Sequence, residues 1–219
     1  MRIGIAALIL AYVLSQFYRA FLAVMAPVLK ADLGVSAADL ASASGWWFLA
    51  FAAMQVPIGS LLDRIGPRLT TGALMAVGAV GALVFAKAAG ALQLKLAMAL
   101  IGIGCAPVLM ASYFIFARQF SPAVFGTLAG LTIGIGSLGN VASALPLSAA
   151  VAAFGWRETM LGLAAITGAV ALVILVLVRD PPRLATARDG SLLDLLRIPA
   201  IWPILAMMVV CYTPIAGLR

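Results

Sequence analysis

The 219-residue chain is 65% hydrophobic and 10% charged, with a mean hydropathy of +1.18, whereas a soluble domain is roughly 45–50% apolar. That composition excludes a soluble enzyme, and the formal charge of +7 does not point to nucleic acid, because Lys and Arg are scattered at the ends of apolar runs, where they act as topology signals. There is no His and there are two Cys; Cys105 and Cys211 lie inside apolar runs without C-x-x-C spacing, so buried thiols are expected rather than a zinc site or a disulfide, with no metal or cofactor.

Runs of about 20 apolar residues recur along the chain, the length that crosses a bilayer as a helix. They are continuously apolar rather than alternating, which selects helices over a barrel. The expected fold is an all-α polytopic membrane protein with spans near 4–29, 40–62, 70–87, 95–117, 123–151 and 159–178 and a seventh beginning near 199. The first run follows Arg2 but is too long and, with Arg19 inside it, too polar to be a cleaved signal segment.

In the first span Tyr12, Ser15, Gln16 and Arg19 fall at i, i+3, i+4 and i+7, on one helical face. An arginine in a membrane helix costs about 2.5–3.5 kcal/mol on insertion scales. The stripe is therefore expected to face the bundle interior, with Arg19 offering its guanidinium fork to an anionic group and Gln16 and Tyr12 orienting it. Two alternatives stay open, that Arg19 snorkels to the outer interface or pairs with another helix.

The second span opens with Trp46 and Trp47, one expected in the aromatic belt and the other over the cavity. Gln55 follows as a candidate cavity residue, as do Tyr113 in the fourth span and Asn140 in the fifth; each could instead be an interhelical hydrogen bond. After the second span comes GSLLDRIGPRLT, with Asp63, Arg64 and Arg68 close together. Gly59 is expected to admit a neighbouring helix, and Asp63 to face a helix N-terminus or pair with Arg. In the fifth span Gly126, Gly130 and Gly134 repeat at four-residue spacing, with Gly136 and Gly139 following, a pattern for close packing or bending. No Asp or Glu lies deep in a span: Asp32, Asp39 and Glu158 are near the outer ends and Asp63 near the inner one.

Three segments organise the chain: a six-helix bundle over 1–178, a polar linker over 179–198, and the start of a seventh span over 199–219. In the linker Ser191 and Asp194 form an S-x-x-D cap for a short surface helix. With the N-terminus inside, Arg2, Arg64, Arg68, Arg118, Arg179, Arg183, Arg188 and Arg197 face the cytoplasm against Lys30, Lys87, Lys95 and Arg157 outside. That asymmetry predicts a cytoplasmic N-terminus. The seventh run reaches Arg219 with no flanking loop, so the chain is expected to be the first half of a longer protein whose second bundle is missing. A shift of 89 residues superimposes Gly45, Pro57, Gly66 and Arg68 on Gly134, Pro146, Gly155 and Arg157. The copies fall at opposite ends, as two inverted three-helix repeats require.

GSLLDRIGPR resembles the loop signature between helices two and three of the major facilitator superfamily, G-x-L-x-D-R-x-G-R-R/K. Gly59, Leu61, Asp63, Arg64, Gly66 and Arg68 match and Pro67 replaces the usual basic residue. The resemblance implies a secondary transporter of a small solute working by alternating access, in which Gly59, Asp63, Arg64, Gly66 and Arg68 act as an inner conformational latch against the second bundle. YRAFLAVMAPVLKADLGVS and FGWRE are similar to the anion:cation symporter and metabolite permease branch, which implies symport of an organic anion. Drug/proton antiport is disfavoured: Met98 stands where those members carry Arg ahead of Gly102 and Gly104, and Ile135 follows Gly130 and Gly134 in place of Pro. A non-transporting assembly factor or sensor on the same fold is the remaining alternative. The expected partners are a small-molecule substrate, the lipid bilayer and the missing C-terminal bundle, with no nucleic acid.

Overall fold

A backbone in hydrocarbon must satisfy its own hydrogen bonds, which a helix does within one segment. The computed structural model of the protein describes residues 2–182 together with Trp202, Pro203 and Met207. The chain divides into two units, Met1–Pro181 and Pro182–Arg219. The surface helix expected in the linker and most of the expected seventh span lie outside the described residues; Trp202, Pro203 and Met207 are helical.

The first unit is helical throughout, in chain order α1 (Arg2–Leu33), α2 (Ala37–Arg64), α3 (Pro67–Ala86), α4 (Ala91–Cys105), α5 (Val108–Gln119), α6 (Pro122–Gly136), α7 (Leu138–Ala142), α8 (Leu145–Phe154) and α9 (Trp156–Leu177). Six segments among the described residues are long and apolar enough to cross a membrane: Ile3–Leu33, Ala37–Arg64, Pro67–Ala86, Ala91–Gln119, Pro122–Ala142 and Trp156–Leu177. The fourth is α4 and α5, joined through Pro107, which lacks the N–H that would continue the ladder. The fifth is α6 and α7, and the expected 123–151 run continues into the shorter α8, with interruptions at Ser137 and Ser143–Ala144.

Local chemistry sets the helix starts. Ser36 and Asp39 form a reciprocal capping box: the Ser36 hydroxyl accepts from the Asp39 N–H at 3.1 Å, and the Asp39 carboxylate accepts from the Ser36 N–H at 3.3 Å. This starts α2 at Ala37, ahead of the apolar run. Trp46 and Trp47 consequently lie about 15 Å along α2, which corrects the expectation that they open the second span.

The bundle closes where side chains are absent. α3 packs most extensively on α9, α4 and α2 contribute the next large contacts, and α1 runs against α5, α6, α7 and α9. At Gly102 an added Cβ would sit 2.5 Å from the Trp47 carbonyl oxygen, and at Gly104 2.5 Å from the Gly78 Cα. A Cβ at Gly139 would fall on the Val13 carbonyl, and one at Gly136 on the Tyr12 ring. Close backbone approach through small residues is the expected means of association where lipid removes the hydrophobic drive between helices. By contrast Gly126, Gly130 and Gly134, and also Gly59, face nothing within 4 Å among the described residues. The packing glycines of the fifth span are thus Gly136 and Gly139, and no described helix approaches Gly59. Between α1 and α9 the buried Tyr18 hydroxyl meets Thr167 Oγ1 at 2.8 Å.

Replacing Gly102 by Ala forces a carbonyl and a Cβ into one volume, at a cost of about 1–3 kcal/mol. Gly102→Ala is expected to lower the melting temperature of the detergent-solubilised protein, whereas Gly162→Ala, at an open position, leaves it in place.

Candidate functional site

The two G-x-R copies form the same junction at opposite ends of one antiparallel helix pair. Gly66 (φ 103°, ψ 158°) and Gly155 (φ 83°, ψ 160°) precede α3 and α9, in conformations that L side chains rarely adopt. Helices α3 and α9 are antiparallel: Gly72 near the start of α3 meets Leu175 near the end of α9, and Phe85 and Trp156 bring their rings to 6.1 Å at the other end. The N-terminus of α1 shares the Gly66 end, since Gly4 lies against Leu177 and Val178.

Each junction is held by an aspartate. At the Gly66 end, Asp180 accepts from the Arg68 backbone N–H at 2.7 Å, and its other oxygen lies 4.0 Å from Arg68 Nε. The carboxylate occupies the positive end of α3. A Cβ on Gly66 would lie 2.9 Å from Asp180 Cγ, so glycine is required for φ and for space. At the opposite end, Asp32 accepts from Arg157 Nη1 and, at 3.0 Å, from Trp156 Nε1, while Arg157 Nη2 donates to the Ala88 carbonyl at 3.2 Å.

The remaining loop charges are distributed between helices. Asp63 pairs with Arg118 at 3.3 Å, tying the end of α2 to the end of α5, and the Arg118 guanidinium lies 4.0 Å from the Phe114 ring centroid. Asp63 therefore takes the arginine partner, and Asp180, which the sequence reading passed over, takes the helix N-terminus. Arg64 is exposed. Asp39 pairs with Lys95 at 3.1 Å, tying the start of α2 to the start of α4.

On α1 the polar stripe keeps its common side with graded exposure. Ser15 is buried, Tyr12 and Gln16 are half-buried and Arg19 is exposed on this bundle's surface. Gln16 Nε2 donates to the Tyr12 hydroxyl at 2.8 Å. Gly136 and Gly139 bring the α6–α7 break against Tyr12, Val13 and Gln16, which places the next residue, Asn140, beside the stripe. Its Oδ1 is buried and has no hydrogen-bond partner among the described residues. Arg19 stands near the middle of the 32-residue α1, with its guanidinium over the rings of Trp47 and Phe48 at 5.9 and 5.5 Å.

Tyr12, Gln16 and Arg19 thus share one side of α1, met at Tyr12 and Gln16 by Gly136 and Gly139 of the α6–α7 break and at Arg19 by Trp47 and Phe48 of α2. Gln55 lies elsewhere: its amide donates to the Phe51 carbonyl at 3.2 Å and the Ala106 carbonyl at 3.5 Å, bridging α2 to the α4–α5 break. Tyr113 sits edge-on to Phe125 at 5.8 Å, between α5 and α6. Among the described residues no cluster of His, Cys, Asp and Glu could hold a metal ion.

If Gly66 and Asp180 serve one junction, Gly66→Ala and Asp180→Ala each lower thermal stability. A strained backbone of this kind costs about 1–3 kcal/mol and a lost cap about 1 kcal/mol. The double variant is expected to lose less than the sum, and additive losses would separate the two residues.

Sequence comparison places this geometry among known proteins. The chain is 29% identical over 149 residues to the uncharacterized transporter YybO of Bacillus subtilis, covering 68% of this chain and 34% of that protein. It is 25% identical over 173 residues to the probable sulfoacetate transporter SauU of Cupriavidus necator, covering 79% and 40%. It is 35% identical over 126 residues to the nitrate/nitrite transporter NrtP of Picosynechococcus sp., covering 56% and 23%. The chain thus spans 40% or less of the length of these relatives. Residues 8–218 match the Major Facilitator Superfamily, and the chain belongs to that family.

Proposed function

We propose that this bundle is part of a secondary transporter for a small organic anion, working by alternating access, with Arg19 as the residue that takes the anionic group. The observation that carries the reading is the setting of Arg19: a permanent cation near the middle of a membrane-length helix, on one side with Gln16 and Tyr12, and making no ion pair among the described residues. A guanidinium held away from any carboxylate keeps its planar fork of N–H donors for an incoming carboxylate or sulfonate. Two relatives are named for anions, sulfoacetate and nitrate/nitrite, which supports an anionic substrate.

Alternating access requires bundles that rock against each other. The Asp63–Arg118 and Arg68–Asp180 pairs, at the end carrying Gly59, Asp63, Arg64, Gly66 and Arg68, are suited to a latch whose contacts differ between the two states. In this reading a second bundle, supplied by the additional length of the relatives, covers the faces of α2 and α6 that remain largely exposed. The excess of basic residues at the Gly66 end sets that end in the cytoplasm of a bacterial cell.

The test is uptake of sulfoacetate, nitrate and a panel of small carboxylates by the full-length protein in proteoliposomes. Arg19→Ala is expected to abolish uptake of the transported anion and Arg19→Lys to raise KM by about tenfold or more, since an ammonium lacks the fork. Asp63→Asn is expected to lower the turnover with little change in KM. Full uptake by Arg19→Ala would overturn the assignment.

A further inference from the structure

We infer that Trp47 and Phe48 are positioning residues for Arg19: a two-walled aromatic clamp that holds the guanidinium in place of a carboxylate counter-ion and leaves its N–H edge free for the substrate anion. The inference rests on the proposed role of Arg19 and extends it to residues on a different helix.

The clamp is built from α2. The Arg19 Cζ lies 5.9 Å from the Trp47 ring centroid and 5.5 Å from that of Phe48, both within the roughly 6 Å over which an aromatic quadrupole attracts a cation. The rings stand at 81° to each other with centroids 4.9 Å apart, so they form a corner around one guanidinium. The rear wall is fixed. Trp47 is 2% exposed, its ring stacks on Phe51 at 5.1 Å and 15°, and its carbonyl rests against α4 where Gly102 has no side chain. The front wall, Phe48, is 44% exposed and can be changed without opening a core cavity.

Two ways of holding an arginine on a membrane-length helix have opposite consequences for an anion carrier. A carboxylate partner satisfies the N–H edge and cancels the charge, so an entering anion must displace it. Rings attract the cation without neutralising it; with the two rings at 81° at most one can lie parallel to the guanidinium plane, so the positive charge stays intact and the N–H donors that face neither ring stay available. Arg68, Lys95, Arg118 and Arg157 each pair with an aspartate, Arg118 and Arg157 with a ring alongside; Arg19 has two rings and no ion pair among the described residues. The clamp also opposes snorkelling, because a guanidinium that leaves the corner loses both faces.

The experiment uses the full-length transporter in proteoliposomes, with sulfoacetate, nitrate and the same small carboxylates as probes and the KM and turnover of the transported anion as readouts. Phe48→Leu is expected to raise KM roughly 3- to 20-fold with turnover little changed, the range that one cation–π contact represents. Phe48→Trp is expected to restore KM, and Trp47→Phe, which keeps a ring on the rear wall, to have a smaller effect than Trp47→Leu. Phe48→Glu supplies the missing carboxylate and is expected to raise KM far more than Phe48→Leu, a difference that loss of packing alone does not produce. Wild-type KM in both Phe48→Leu and Phe48→Glu, alongside an inactive Arg19→Ala, would overturn the clamp while leaving Arg19 in its role. Full activity of Arg19→Ala, or no uptake of any probe by the wild type, would overturn both.

Discussion

Close approach of helix backbones at glycines is the constraint on which the rest of this bundle depends. In lipid, apolar side chains gain little by leaving one apolar surroundings for another, so helices associate through dense contact between small residues. Gly102 shows how such a contact reaches the chemistry. Its missing side chain lets the Trp47 carbonyl seat against α4, which fixes the indole, and the indole backs Arg19. Gly136 and Gly139 do the same for α1 from the other flank, setting the α6–α7 break against Tyr12 and Gln16. The polar stripe thus lies between two glycine-mediated contacts, on a helix about half of which is buried.

The helix ends follow a second rule, in which charge sits where water reaches and is used to join helices. Four aspartates each bridge elements distant in sequence among the described residues: Asp63 to Arg118, Asp39 to Lys95, Asp180 to Arg68 and Asp32 to Arg157. Exposed pairs of this kind contribute roughly 0–1 kcal/mol each, too little to hold a bundle together and small enough to be exchanged during a conformational cycle. The matched Gly66 and Gly155 junctions place such pairs at both ends of α3 and α9. Stability then resides mainly in the packed middle, which leaves the ends available for the latch proposed above.

The spans were legible because run length and continuous hydropathy are dictated by the bilayer, and the loop signature was legible because its letters are contiguous. What acts across the chain was not. Asp180 serves a helix whose Arg68 lies 112 residues earlier, and no local pattern links the two. The glycine pattern in the fifth span named five residues without ranking them: Gly126, Gly130 and Gly134 meet nothing among the described residues while Gly136 and Gly139 carry the contact. Periodicity defines a face; it does not say what lies opposite. Likewise Arg19 was conspicuous as a charge in an apolar run, whereas its partner Phe48 was one aromatic residue among many.

The central claim, that Arg19 is the anion's contact, is tested most directly by the structure of the full-length transporter bound to its transported anion. The account predicts density for the carboxylate or sulfonate at about 3 Å from the Arg19 guanidinium nitrogens, with the rings of Trp47 and Phe48 still beside it. An anion bound elsewhere, with Arg19 extended toward the lipid headgroups or paired to a carboxylate, would contradict it.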